Sequence, residues 1–143
     1  MDNMKENRKC LLDEAQPHSI SHLEDEWARY KYLILARDPN AYKAIRVLLK
    51  NKSAYPVREF FDIVDAALQK DENTGYEINA AQHVFGYFRK LATDSEKAQV
   101  LEIIANYSRG DGGLIRLKSA LFHLAKKYDV EYLLESYYFY GVE

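Results

Sequence analysis

Residues 93–110, TDSEKAQVLEIIANYSRG, decide the fold class. Thr93 and Glu96 have capping-box spacing, in which a hydroxyl and a carboxylate each satisfy an amide that the first helical turn leaves free. Val100, Leu101, Ile104 and Tyr107 follow at intervals of three and four, as one face of an α-helix requires, and Gly110 supplies a stop. The same grammar extends in both directions. Upstream, Ser21 and Glu24 repeat the capping-box spacing and open a helix that runs to about Arg37. Asp38-Pro39 reads as an N-cap followed by a first-turn proline, opening a helix over 39–51. Pro56 opens a third helix to about Lys70, with Val57, Phe60, Phe61, Val64, Ala67 and Leu68 as its apolar stripe. After a polar turn at 71–75, Ile78, Ala81, Phe85, Phe88 and Ala92 make a fourth stripe. Downstream, the glycines at 110, 112 and 113 form a joint before Leu114, Leu117, Leu121, Leu124 and Tyr128, and a short helix follows over about 130–138.

No segment alternates with the period of a strand, and no repeat of solenoid length is visible. The sequence therefore predicts an all-α, single compact domain of six or seven helices, bundle-like or orthogonal, over residues 21–143. Residues 1–20 lack sustained periodicity and contain Pro17, which predicts an acidic, mobile or loosely docked tail.

A chain of 143 residues is about one domain long, and 48% hydrophobic side chains suffice to offset the entropy of folding. Its longest apolar runs are a few residues, against the roughly 20 that a membrane-spanning helix needs, so no membrane partner is expected. The charged N-terminal ten residues lack the apolar stretch of a secretory signal, which points to the cytoplasm. The single Cys10 forms no internal disulfide and cannot supply the thiolates of a zinc or iron–sulfur site. His18 and His22 have helical metal-ligand spacing but lie across the boundary of the expected tail with no cysteine or carboxylate geometry implied, so neither a metal nor a cofactor is expected. The glycines at 110–113 lack the order of a phosphate-binding loop and follow a helix instead of a strand.

Net charge is only −2, but its distribution is uneven. Residues 1–26 carry seven acids against three bases, whereas residues 27–58 carry eight bases against the single acid Asp38. That reversal predicts a local basic surface on a mildly acidic protein. Lys43, Arg46 and Lys50 fall along the outer face of the 39–51 helix, and Arg29 and Lys31 precede them. Such a row can track a phosphate backbone, while Trp27, Tyr30, Tyr32, Tyr42 and Tyr55 can stack on unpaired bases. An ordinary solvated face over an aromatic core accounts for the same pattern. Lys31 falls inside an apolar arc between Trp27 and Leu35, where it can snorkel outward, pair with an acid or sit as a desolvated amine.

A second candidate surface comes from His83, Tyr87 and Lys90, at i, i+4 and i+7 opposite the fourth stripe. Gly86 on that side costs a helix about 1 kcal/mol relative to alanine, which suggests a close approach there. A ligand cleft and simple helix packing both fit. Arg116, His123 and Lys127 form a similar second face farther on, and if the two helices adjoin, two histidines converge with several bases. His123 taken alone reads more readily as a structural histidine.

His83, Gly86-Tyr87-Phe88, Lys90, Ser95-Glu96-Lys97, Tyr107, Gly110, His123, Tyr128, Tyr132-Leu133 and Tyr138, with Lys31-Tyr32-Leu33 ahead of them, resemble the YbgA-like family. The resemblance covers about residues 27–138, and the family's activity is poorly defined. Such domains often occur fused behind a TudS-like desulfurase domain, which removes sulfur from thiolated pyrimidines with an iron–sulfur cluster. In that setting the YbgA-like part is expected to hold the RNA. Cys10 alone cannot bind such a cluster, so the desulfurase activity does not carry over. What the resemblance implies is a partner such as structured RNA or tRNA, and a desulfurase-like protein in trans. This sequence departs from the family where Ser136 stands in place of a glutamine two positions before the tyrosine. The expected function is an RNA-binding, tRNA-type accessory domain without catalysis of its own. The alternatives are a small enzyme acting on a nucleotide-like ligand through Lys31, His83, Tyr87 and Lys90, or a protein-interaction adaptor.

Overall fold

The computed structural model describes residues 3–142. Eight α-helices follow one another: α1 (Asn3–Leu12), α2 (Ile20–Arg37), α3 (Pro39–Leu48), α4 (Val57–Leu68), α5 (Thr74–Phe85), α6 (Asp94–Ser108), α7 (Leu114–Lys127) and α8 (Glu131–Leu134). Short 3-10 turns lie at Gly86–Phe88 and Tyr137–Phe139, and no strand occurs among the described residues. The all-α expectation holds. None of these helices is long and apolar enough to cross a membrane. Residues 1, 2 and 143 of the expected tail and domain lie outside the described residues.

Helix α2 organises the rest. Tyr30 and the run from Tyr32 to Ala36 are all buried, so this helix is enclosed around most of its circumference instead of along one stripe. On one side Leu23 and Ile34 pack with Ile45 of α3 and Phe60, Phe61 and Val64 of α4. On the other, Tyr32, Leu35 and Ala36 meet Ala80, Ala81 and Val84 of α5, behind which lie Leu117 and Leu121 of α7. The small side chains at 80 and 81 let α5 lie close against α2, with both alanines fully buried.

Helix α6 begins as its sequence predicts. Thr93 Oγ1 accepts from the Glu96 amide at 3.1 Å, and Glu96 Oε1 accepts from the Thr93 amide at 2.8 Å. It ends at Gly110, whose φ of +81° is a left-handed conformation that glycine adopts without cost. The Asp111 and Gly110 amides bond back to the Asn106 and Tyr107 carbonyls at 2.8 and 3.0 Å, which closes the helix. Its buried stripe is Val100, Ile103, Ile104 and Tyr107; Leu101, counted with that face from spacing, is 57% exposed.

Three other expectations are corrected. Where a tail was expected over 1–20, residues 3–12 form α1, docked mainly by polar contacts. The Arg8 guanidinium makes two 2.7 Å bonds to Asp65 and lies 4.6 Å from the centre of the Phe61 ring. Asn7 donates to Tyr137 at 2.8 Å, and Tyr55 donates to the Leu11 carbonyl at 2.8 Å. A hydrophobic-period argument registers none of these contacts, because Leu11 alone among the helix's residues is buried. Second, the cap of α2 lies two residues earlier than predicted: Ser19 is its N-cap, and its amide donates to His22 Nδ1 at 3.0 Å, so Ser21 and Glu24 are not the cap. Third, α5 stops at Phe85 and the chain tightens into the 3-10 turn, so His83, Tyr87 and Lys90 do not share one continuous helix.

Candidate functional site

Helices α2, α3 and α8, with the loop after α3, enclose an open groove of about 430 Å³. Trp27 and Lys31 enter from α2 and Arg46 from α3, which ends at Leu48, short of the expected 51, so that Lys50 and Lys52 come from the loop after it and Tyr132 from α8. Glu24 is the one acid among the lining residues, and it is ion-paired with Lys52. Buried Leu49, with Ala28 and the Trp27 ring, is the apolar part of the lining. Four cations against one carboxylate make the groove positive in a protein whose net charge is negative.

Local backbone chemistry delivers Tyr132 to this place. Helix α7 ends with Asp129 at φ +50°, a conformation that aspartate tolerates better than most residues. The Val130 and Asp129 amides bond back to the Ala125 and Lys126 carbonyls at 3.0 and 3.3 Å, reversing the chain into α8. Tyr132 then stacks on Tyr87, with ring centres 5.8 Å apart and planes 15° from parallel. The Tyr87 and Tyr32 hydroxyls share a hydrogen bond of 2.8 Å, and Lys31 Nζ lies 5.7 Å from the centre of the Tyr32 ring. Burial, and then the bond with Tyr87, push the Tyr32 phenol well above its ordinary pKa, so it stays neutral. Burial also raises Tyr132. Trp27 rests against Tyr42 at 5.5 Å.

The expected site residues therefore divide. Lys31, Arg46 and Lys50 come together in the groove, while Lys43 is exposed on α3 outside its lining. Arg29 does not join them; it pairs at 3.0 Å with Glu26, a carboxylate 1% exposed that also accepts from the Tyr137 hydroxyl at 2.9 and 2.8 Å. Burial pushes Glu26 above its ordinary value, against the pull of the hydrogen bonds from Tyr137 and Arg29. Tyr30 is in the core, and Tyr55 is turned toward α1. Of the second candidate surface only Tyr87 reaches the groove's aromatic wall; His83, Lys90, Arg116 and His123 are exposed and are not part of its lining. A Cβ built on Gly86 would meet nothing within 4 Å, so no close approach explains that glycine. Tyr132 and Lys52 were not singled out from sequence. The only signal for Tyr132 was its place in the Tyr132-Leu133 pair of the family resemblance.

Among the described residues no group of three or more His, Cys, Asp or Glu side chains is arranged to hold a metal. His18 bonds through Nε2 to the Cys10 carbonyl at 2.7 Å, and its ring meets His22 edge-on.

A family model described as "Protein of unknown function (DUF1722)" matches residues 31–141. The chain belongs to the DUF1722 family. This is the YbgA-like family that the sequence motifs resemble. No curated protein and no solved structure matches the chain. The DUF1722 region contributes Lys31, Arg46, Lys50, Lys52, Tyr87 and Tyr132, whereas Trp27 and the whole of α1 precede it.

The DUF1722 core also encloses charge. Glu77 of α5 is fully buried, neither of its oxygens has a hydrogen-bond partner, and Arg37 Nε stands 4.0 Å away. Lys118 of α7 is 7% exposed and lies 4.3 Å from the centre of the Tyr138 ring, whose own hydroxyl is unpartnered. Burial drives the Glu77 carboxyl up and the Lys118 amine down, and the attraction between them opposes both shifts. With Glu77 fully buried, this cluster offers no surface to a substrate.

Proposed function

We propose that this DUF1722 domain is an RNA-binding accessory module without catalysis of its own, which holds structured RNA such as tRNA through the groove between α2, α3 and α8. The observation that carries this reading is the gathering of Lys31, Arg46, Lys50 and Lys52 around one concavity walled by Trp27 and Tyr132. Phosphate contacts by lysine and arginine supply most of the affinity of nucleic-acid binding, and aromatic walls add base contacts. A cytoplasmic setting belongs to this reading. So does a desulfurase-like protein acting in trans on thiolated pyrimidines, for which the module would present the RNA.

The test is a titration of labelled tRNA at several salt concentrations. Affinity should fall steeply as salt rises, because each phosphate contact releases counterions. Arg46→Glu with Lys50→Glu should weaken binding and flatten the salt dependence, each lost contact lowering the slope by about one. Lys43→Glu, outside the lining, should do less. Equal weak binding to tRNA and to an uncharged polymer, with no loss in the charge-reversed variants, overturns the reading.

A further inference from the structure

We infer that the groove takes an unpaired nucleotide of RNA, its base stacked on the Tyr132 ring and its phosphates held by Lys31, Arg46 and Lys50, and so selects single strands over duplex. The inference rests on the RNA-binding reading and names which part of the RNA is recognised. Tyr132 and Tyr87 are 40% and 37% exposed, large rings left at the surface beside the cations. They are stacked on each other, and Tyr87 is pinned by the hydroxyl of Tyr32, itself buried in α2. A ring fixed in this way loses little freedom when a base settles on it, which is what makes a preorganised platform effective.

Size and charge agree. A volume of about 430 Å³ lies within the range of roughly 300–1,000 Å³ typical of sites for single small ligands. A double helix keeps its base faces covered by stacking and offers only its backbone and groove edges, so it cannot use the ring. Glu24 is tied to Lys52, which leaves Lys31, Arg46 and Lys50 as the cations facing the phosphates.

Trp27 is the protein's only tryptophan and lines the groove, so its fluorescence reports occupancy without a label. The full chain is titrated with octauridylate, with an abasic octamer of the same backbone, with a blunt eight-base-pair RNA duplex and with uridine 5′-monophosphate, all at one salt concentration. Octauridylate should quench Trp27 and bind about tenfold or more tighter than the abasic octamer or the duplex. Tyr132→Ala should lose about 5- to 150-fold for octauridylate with an unchanged salt slope, and Tyr132→Phe should keep it. If Tyr132→Ala melts early, Tyr132→Leu supplies the same test with apolar volume retained. Equal, salt-dependent binding of all three oligomers overturns base stacking while the RNA-binding reading stands. Absence of salt-dependent binding to any of them overturns that reading itself. The monophosphate binding as tightly as the octamer makes the groove a free-nucleotide site and overturns the inference.

Discussion

The hydroxyl of Tyr32, buried in α2, lies 2.8 Å from that of Tyr87, in the 3-10 turn after α5. This bond, with the edge-on packing of the two rings at 6.0 Å, links the central helix to the aromatic pair at the groove. Tyr32→Phe removes it while keeping the ring, and should lower stability in urea by about 1 kcal/mol, the usual net worth of such a bond. Affinity for single-stranded RNA should fall with it, because Tyr87 and the ring stacked on it lose their anchor. A loss of stability with affinity unchanged would show that stacking alone holds the pair.

His83 and Lys90 are exposed and lie outside the groove. His83→Ala and Lys90→Ala should each alter stability within about 0.5 kcal/mol, as surface truncations do. Tyr87→Ala should instead lower both the melting temperature and RNA affinity. Thermal melts beside the tRNA titration check this, and a large drop in affinity for the His83→Ala, Lys90→Ala double variant would extend the interface across the end of α5.

Glu77 and Lys118 are both buried in the core, where each charge is felt by the other and Arg37 Nε stands 4.0 Å from Glu77. Glu77→Leu leaves the buried Lys118 amine without its carboxylate and should cost about 3–5 kcal/mol, whereas Lys118→Met leaves Glu77 the Arg37 guanidinium and should cost less. The double variant should return close to the wild type, since apolar groups of similar size replace the pair at little cost. Urea unfolding of the four proteins measures the coupling directly. Additive losses in the double variant would mean that Arg37 and Tyr138, rather than the pair, set the cost.

Glu96 is held at about 2 by its hydrogen bond from Lys127, at 2.7 Å, and then by those from Tyr128 and the Thr93 amide. Its folded value lies below the roughly 4.3 of a free glutamate, so the stabilisation is full above that value and disappears as pH falls toward 2. Glu96→Gln should therefore melt below the wild type at neutral pH, and the gap should narrow between about pH 4 and pH 2. Melting curves across that range test it; a gap independent of pH would assign the effect to capping geometry alone.

Helix α6 could be read end to end because its start, stripe and stop are all local signals, although spacing alone assigned Leu101 to the wrong side. The docking of α1 was not legible: Arg8 meets Asp65 across 57 positions, and no local pattern records such a pairing. The same limit governs the groove. A basic row on α3 is visible in sequence, but that Lys31 joins it while Arg29 turns to Glu26 depends on how α2 is rotated in the core. Tyr132 reaches the groove only through the chain reversal at Asp129, a tertiary consequence of one left-handed residue.

Glu26 is buried in α2, where Arg29 and Asn7 donate to Oε1, and the Tyr137 hydroxyl, 111 positions later, lies 2.9 and 2.8 Å from its two oxygens. On the ribosome, where the chain emerges amino end first, α2 is therefore out in solution long before that partner exists. Arg29 and Asn7, both made early, serve only Oε1 of Glu26, so enclosing the carboxylate before Tyr137 exists would leave Oε2 without a donor, a cost that favours late closure of this part of the core. The domain should therefore complete its packing only once Tyr137 has emerged, late in translation.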